Sequence, residues 1–235
     1  MTASPATVKN EIRTDALDLA VVIPVLNGAR TLAGTVAALG PVRGLIVVDG
    51  GSRDDTPAVA ESLGARVLTA PRGRGPQIAA GVAAAASGWV LILHADTRLA
   101  AGWRDAARTH MAQGPNRAAC FRFALDSDEP AARRLERMVA WRCRVLALPY
   151  GDQGLLIHTD LLRAIGGVRP LPLMEDVDLI RRLGRRRLTF LETAAITSAA
   201  KWRRDGWWRR SARNLFCLGL WFLGIPPRLI VRLYG

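Results

Sequence analysis

Lysine is almost missing from this chain. Lys9 and Lys201 are the only two, so nearly all of the 33 Lys+Arg residues are arginine. No Gly-Lys-Ser/Thr occurs, which excludes a lysine-bearing phosphate loop. Cysteine is scarce as well. Cys120, Cys143 and Cys217 match no zinc spacing, and their odd number argues against a disulfide framework and for a reducing compartment. Long apolar runs are lacking too. No stretch reaches the ~18 residues of a membrane-spanning helix, and the nearest, residues 215–225, is too short. Residues 1–15 have neither the basic start nor the apolar run of a signal peptide and read as a frayed leader. No internal repeat or low-complexity linker is present.

What is present suffices for one sizeable folded unit. Half of the 235 residues are apolar, enough for an α/β domain with an appended helical segment. The net charge is +13. Arginine forks bind phosphate and carboxylate oxygens in pairs, so the excess suits a phosphate-bearing ligand, an anionic membrane surface or nucleic acid. A genome favouring arginine codons explains the average arginine equally well. No recognised nucleic-acid module appears, so nucleic acid is not expected as a partner.

Leu19-Ala20-Val21-Val22-Ile23-Pro24 reads as a strand buried on both faces. Residues 45–49, 66–68 and 89–94 give three more strands, with helices over residues 30–39, from Pro57 to Leu63 and over residues 76–86. This alternation predicts an α/β fold with a mostly parallel central sheet flanked by helices. Ligands sit outside the carboxyl ends of such strands, where Asn27, Asp49 and Asp96 all fall. After residue 118 the rhythm breaks. A strand over 120–125, a helix over 130–148, a loop over 151–154, a short strand over 155–157, a helical turn over 161–165 and a helix opened by Glu175-Asp176 follow.

Four constellations carry chemistry. Asp49, in Val48-Asp49-Gly50-Gly51-Ser52, ends a strand and can accept hydrogen bonds from a nucleobase or ribose hydroxyls; Asp54 and Asp55 read as caps of the next helix. Arg72-Gly73-Arg74-Gly75 precedes a helix start and suits phosphate oxygens, or is merely a basic turn. Asp96, in His94-Ala95-Asp96, suits a hard cation such as Mg²⁺ or Mn²⁺ shared with a diphosphate, or caps a turn. Glu175-Asp176-Val177-Asp178 supplies a candidate general base for an acceptor hydroxyl, or simply complements a helix dipole.

In this order, the motifs resemble the family 2 glycosyltransferases of the GT-A, Rossmann-like nucleotide-diphospho-sugar transferase fold. The matching residues include Val22-Ile23-Pro24-Val25-Leu26-Asn27, Val48-Asp49-Gly50-Gly51-Ser52-Arg53-Asp54-Asp55-Thr56, Arg72-Gly73-Arg74-Gly75-Pro76-Gln77, Leu93-His94-Ala95-Asp96-Thr97, Gly151-Asp152-Gln153-Gly154 and Met174-Glu175-Asp176-Val177-Asp178-Leu179. The likeness covers residues 19–190. Within the family the chain is most similar to small bacterial members grouped under arsenosugar-type biosynthesis.

The resemblance implies an inverting, metal-dependent transferase acting on a nucleotide-sugar donor, UDP-linked. It implies a nucleotide site of Pro24, Asn27, Asp49, Gly50, Arg74, Gln77 and Ala95. Asp96 would hold Mg²⁺ or Mn²⁺, and Asp176, with Glu175, would be catalytic. Gly151, Asp152, Gln153 and Gly154 would meet the acceptor, and Lys201 and Trp202 the diphosphate. Two departures stand out: His94 replaces the first aspartate of an Asp-x-Asp motif, and Gly28 replaces a glutamate common in relatives.

The expected organisation is a leader at 1–17, a transferase domain at 18–200 and a basic tail at 201–235. The domain divides into a nucleotide-binding half, 18–100, and an acceptor half, 101–200. The tail holds eight basic residues against the single acid Asp205, interleaved with Trp202, Trp207, Trp208, Phe216, Trp221 and Phe222. That pattern suits a helix lying in a membrane interface, serving a lipid-linked rather than a small acceptor at the cytoplasmic face. It equally suits a helix packed on its own domain. The alternative to an enzyme is a non-catalytic nucleotide- or membrane-binding relative, which His94 keeps open.

Overall fold

The apolar runs of the N-terminal half form the centre of an eight-stranded sheet. The computed structural model describes residues 16–234. Most of the expected leader lies outside the described residues, and Leu17 already belongs to the first strand. Strands β1 (Leu17–Val25), β2 (Val42–Asp49), β3 (Arg66–Thr69) and β4 (Trp89–Ile92) alternate with helices α1 (Ala29–Ala37), α2 (Thr56–Ser62) and α3 (Arg74–Ala83). All their pairings are parallel.

The apolar runs are continuous because successive side chains enter different cores. Val22, Val48, Val90 and Ile92 pack on one face with Ile78 of α3. Val21, Ile23, Val47, Leu91 and Leu93 pack on the other with Leu32 of α1. Pro24 is tolerated in this central strand for a local reason. β4 pairs with β1 only as far as Val22, so the missing amide of Pro24 faces a side where the ladder has ended.

The second half is mixed. It adds β5 (Thr97–Leu99), α4 (Trp103–Ala112), β6 (Ala118–Leu125), α5 (Pro130–Leu146), β7 (Leu155–His158), α6 (Thr159–Ala164), α7 (Glu175–Leu183) and β8 (Leu188–Thr197). The sheet order is β3-β2-β1-β4-β7-β6-β8-β5. β7 runs antiparallel to β4 and β6, and β5 antiparallel to β8, while β6 and β8 are parallel. The parallel sheet expected from the sequence therefore holds through β4 and gives way to a mixed one beyond it.

Helices α8 (Ala200–Asp205), α9 (Trp207–Phe222) and α10 (Pro227–Tyr234) close the chain. The tail packs on the domain: Trp202, Cys217, Leu218 and Ile230 are buried. It also leaves a second face bare, with Trp208, Leu215, Phe216, Phe222 and Leu223 exposed. The packed face agrees with the reading of a helix set on its own domain. No helix among the described residues is long and apolar enough to cross a membrane.

Candidate active site

The loops after β1 and β2 clasp each other. Asn27 has a left-handed backbone, φ 53°, and its side chain accepts the Arg53 amide at 2.8 Å. Its own amide donates to Ser52 Oγ at 2.8 Å, and the Gly28 amide donates to Thr56 Oγ1 at 2.8 Å. Asp49, 5 % exposed, accepts the Gly51 and Ser52 amides at 2.9 Å each through Oδ2 and the Ser52 hydroxyl through Oδ1. A carboxylate offers about four acceptor positions, so Oδ1 retains capacity for a further donor. Asp54, one residue before the cap position of α2, accepts the Thr56 amide at 3.2 Å and the Ala29 amide at 3.2 Å, while Asp55 at the cap position makes no side-chain capping hydrogen bond among the described residues.

Gln77 lies beneath these loops. It is 3 % exposed, and Nε2 donates to the carbonyls of Val25 and Val48 at 2.7 Å each. Gln153 is likewise turned inward: its Nε2 donates to the Phe121 carbonyl at 2.9 Å, and its Oε1 accepts from Cys143 Sγ at 3.2 Å. Both amides satisfy buried carbonyl or thiol groups, so their side chains support loops and do not face the cavity. Gly154 packs beside Leu93 and Phe121 on the same inward side. Ala95 contributes its carbonyl, which accepts from Thr35 Oγ1 at 2.9 Å.

A cavity of about 110 Å³ opens near the ends of β4 and β8, and Arg74, Asp96, Gly151, Asp152, Asp176, Lys201 and Trp202 all line it. These expected residues come together from five different segments. Four more that the sequence reading passed over join them: Tyr150, Thr197, Arg210 and Asn214. Arg210 and Asn214 belong to α9, so the tail forms part of the cavity wall.

Asp176 faces this cavity from the first turn of α7. Its Oδ2 accepts the Gly151 amide at 2.8 Å and its Oδ1 the Val177 amide at 2.8 Å. Gly151 must be glycine here. A Cβ would lie 2.7 Å from His94 Nε2 and 3.4 Å from Asp176 Oδ2. Glu175 points the other way. Its side chain is 1 % exposed and meets Arg74 Nε at 2.8 Å. Burial pushes the Glu175 carboxyl up to about 7; Arg74 opposes the rise and Asp176 adds to it.

Arg74 opens α3, and the first turn of that helix is squeezed. A Cβ on Gly75 would lie 2.6 Å from the Leu171 nitrogen and against the Leu171 carbonyl oxygen. Gly75 of Arg72-Gly73-Arg74-Gly75 therefore admits a crossing backbone. Arg74 is carried beside Glu175 as a consequence.

His94 is neutral near pH 7. Burial first, then Arg74, lowers its pKa to about 4, against Asp96 and Asp176. Asp96 meets Lys201 Nζ at 2.8 Å. Burial alone would raise its carboxyl, but Lys201 and His94 outweigh it and hold the group below its ordinary value. Asp152 goes the other way. Burial raises it to about 6 against Arg142, and Asp176 and Asp96 add to the rise. Its Oδ1 is shielded from solvent and has no hydrogen-bond partner among the described residues.

Among the described residues, no group of three or more His, Cys, Asp and Glu side chains could enclose a metal ion. Asp96 offers a hard oxygen on the cavity wall, and Asp152 lines the same cavity. Mg²⁺ commonly takes one or two carboxylates and completes its shell with water and substrate phosphates. The residues fit a cation shared with a diphosphate and do not fit one caged by protein alone.

Comparisons with known proteins agree with this architecture. A curated relative, an uncharacterized glycosyltransferase of Mycobacterium tuberculosis, is 41% identical over 83 residues, 35% of this chain and 38% of the relative. An uncharacterized glycosyltransferase of Mycobacterium bovis matches to the same extent. The alignment thus spans well under half the length of these relatives. Glucosyl-3-phosphoglycerate synthase from Mycobacterium tuberculosis, solved with Mn²⁺ and uridine-diphosphate-glucose, superposes with a TM-score of 0.61 at 19% identity, covering 96% of this chain and 86% of that one. Staphylococcus aureus TarS 1-349 gives 0.62 at 12% identity, covering 86% and 65%. At such identities these structures establish the shared GT-A fold alone. Residues 20–169, more than half of the chain, match the model for glycosyl transferase family 2, and the chain belongs to that family.

Proposed function

We propose that the cavity transfers a sugar, with inversion, from a nucleotide-diphosphate sugar, UDP-linked, to an acceptor hydroxyl. One observation carries this reading: Asp176 is held by the Gly151 amide on the wall of a cavity that also presents Arg74 and Lys201. A base and a pair of cations in one enclosure match the two charge movements of the reaction. The acceptor oxygen attacks the anomeric carbon on the face opposite the diphosphate. The bond from that carbon to the diphosphate oxygen breaks, and its electron pair leaves with the diphosphate. The acceptor proton passes to the Asp176 carboxylate.

Arg74 and Lys201 would stabilise the charge that grows on the leaving diphosphate. Glu175 orients Arg74 through their 2.8 Å contact. The loops of Asn27, Asp49 and Gly50 would seat the nucleotide at the strand ends, where Oδ1 of Asp49 can still accept a donor. Asp96, with Asp152 near it, would hold a divalent cation on the diphosphate, which supplies further neutralisation when bound. Gly151 and Asp152 lie on the cavity wall, where an acceptor would approach.

Asp176→Asn tests the assignment. General-base catalysis supplies about 10²–10⁴-fold, so turnover of the best UDP-sugar should fall by at least about 10². UDP affinity by calorimetry should stay within about threefold of wild type. Near-normal turnover by the variant would overturn the role of Asp176. UDP binding with no turnover of any donor by the wild type would favour a non-catalytic binder.

A further inference from the structure

A second hollow opens directly off the cavity. It is a groove of about 480 Å³ between α5 and α9, with Leu135, Met138, Trp141 and Leu146 on one wall and Leu215 and Leu218 on the other. Its inner end is shared with the cavity: Tyr150, Asp152, Trp202, Asn214 and Leu218 line both. Its size is that of a small-ligand site. Its outer lip is exposed and apolar, with Trp141 60 % and Leu215 53 % accessible. Contiguous apolar surface of this kind is costly to leave in water unless something covers it.

The charge on the two helices that form the groove restricts what that cover can be. Arg134, Arg137 and Arg144 of α5 and Arg209 of α9 are all exposed. The bare face of α9 and α10, with Phe216, Phe222, Leu223 and Leu229, continues the apolar surface and carries exposed Arg228 and Arg232. Exposed aromatic and aliphatic side chains among arginines match an anionic bilayer surface. A groove leading from that surface to the acceptor side of a transfer cavity matches a chain that lies in the bilayer.

We propose that the groove seats the hydrocarbon chain of a lipid-linked acceptor, drawn from an anionic membrane surface with its hydroxyl delivered to Asp176. This rests on the transferase reading of the cavity and adds the class of acceptor. The chain fills the apolar walls of α5 and α9, while the polar head passes Tyr150 and Asp152 into the cavity.

The test uses the full chain with UDP present and three probes that share a head group: hexyl, octyl and decyl glucoside, each below its micelle concentration. Affinity by calorimetry should tighten about fourfold for each methylene added. Leu215→Asp and Met138→Asp, both on the exposed lip, should flatten that dependence and leave UDP affinity unchanged. The chain should float with phosphatidylglycerol-containing vesicles and not with pure phosphatidylcholine vesicles. Equal affinity for the three probes, an unaltered dependence in both variants, or flotation that ignores phosphatidylglycerol would overturn the proposal. So would a stable dimer by light scattering that buries Trp141 and Leu215. Loss of UDP binding by the wild type would instead strike the transferase reading, whereas intact UDP binding with a flat chain-length response strikes the groove alone.

Discussion

Asp152 should destabilise the protein that carries it. Its carboxyl stands at about 6 in the folded chain against an ordinary 3.8, chiefly because burial disfavours its charge. Between those values the folded state holds the proton that the unfolded state has lost, so stability falls as pH rises from about 4 to about 6. Above the folded value the cost is complete; below 3.8 it is absent. At about 1.4 kcal/mol per pH unit the rise corresponds to about 3 kcal/mol as an upper limit. Solvent in the adjoining cavity screens part of this, and about 1–2 kcal/mol is the expected cost. Asp152→Asn keeps the shape and removes the charge. For a chain of this length it should raise Tm by roughly 3–6 °C at pH 8 and by almost nothing at pH 4. Differential scanning calorimetry at the two pH values reads the difference directly. An unchanged or lowered Tm at pH 8 would refute the account of burial. The same variant should transfer sugar poorly, because a residue retained against its own stability is retained for its chemistry.

Two further substitutions probe the same wall. Gly151→Ala should cost about 1–3 kcal/mol of stability, since its methyl must push His94 or Asp176 aside, and turnover should fall with it; melting and turnover both at wild-type levels would show that the loop has slack. Lys201→Met should weaken UDP binding by about tenfold without added metal, the loss of one exposed charge-assisted contact, and by less with Mn²⁺, whose charge takes up the same neighbour, Asp96. Calorimetry giving equal UDP affinity for both proteins would remove Lys201 from the diphosphate site.

The strands most legible in the sequence are the central ones. Residues 19–24, 45–48 and 89–93 are apolar at every step because the sheet has a core on both sides. β8 escaped the same reading for the opposite reason. Six of its ten residues are partly or fully exposed, Glu192 interrupts them, and Thr189 and Thr193 dilute the apolar signal. The alternation of Leu188, Phe190 and Glu192 with its neighbours carries little contrast when both sets are partly wet. β5 is three residues long and α4 buries only Trp103, Ala107 and His110, so neither offers a run to detect. At the site, charges at strand ends and helix starts were visible: Asp49, Arg74, Asp96 and Asp176. The direction of an amide was not. Gln77 and Gln153 belong to motifs that look like ligand contacts, and only the fold shows Val25, Val48 and Phe121 accepting their hydrogen bonds. Tyr150, Arg210 and Asn214 were invisible because they meet only when α9 folds back on the domain.

The acidic run at α7 shows how the fold separates what composition merges. Four residues, Glu175-Asp176-Val177-Asp178, begin one helix, and attraction to the helix dipole accounts for acids there in general. That attraction is satisfied by side chains in water and asks for no particular partner. Consecutive helix positions point about 100° apart, so the three acids leave in different directions. Asp178 goes to Arg169 at 3.0 Å and Arg182 at 2.7 Å, which fastens the helix to its surroundings. Asp176 turns to the cavity and the Gly151 amide. Glu175 enters the interior at 1 % exposure, where burial pushes it up to about 7, a position the dipole alone would never demand. A buried carboxylate of that kind is tolerated because it faces Arg74, and Arg74 is what it places on the cavity wall. The dipole therefore explains why acids stand at this helix start, and the separate partners explain why they are these three.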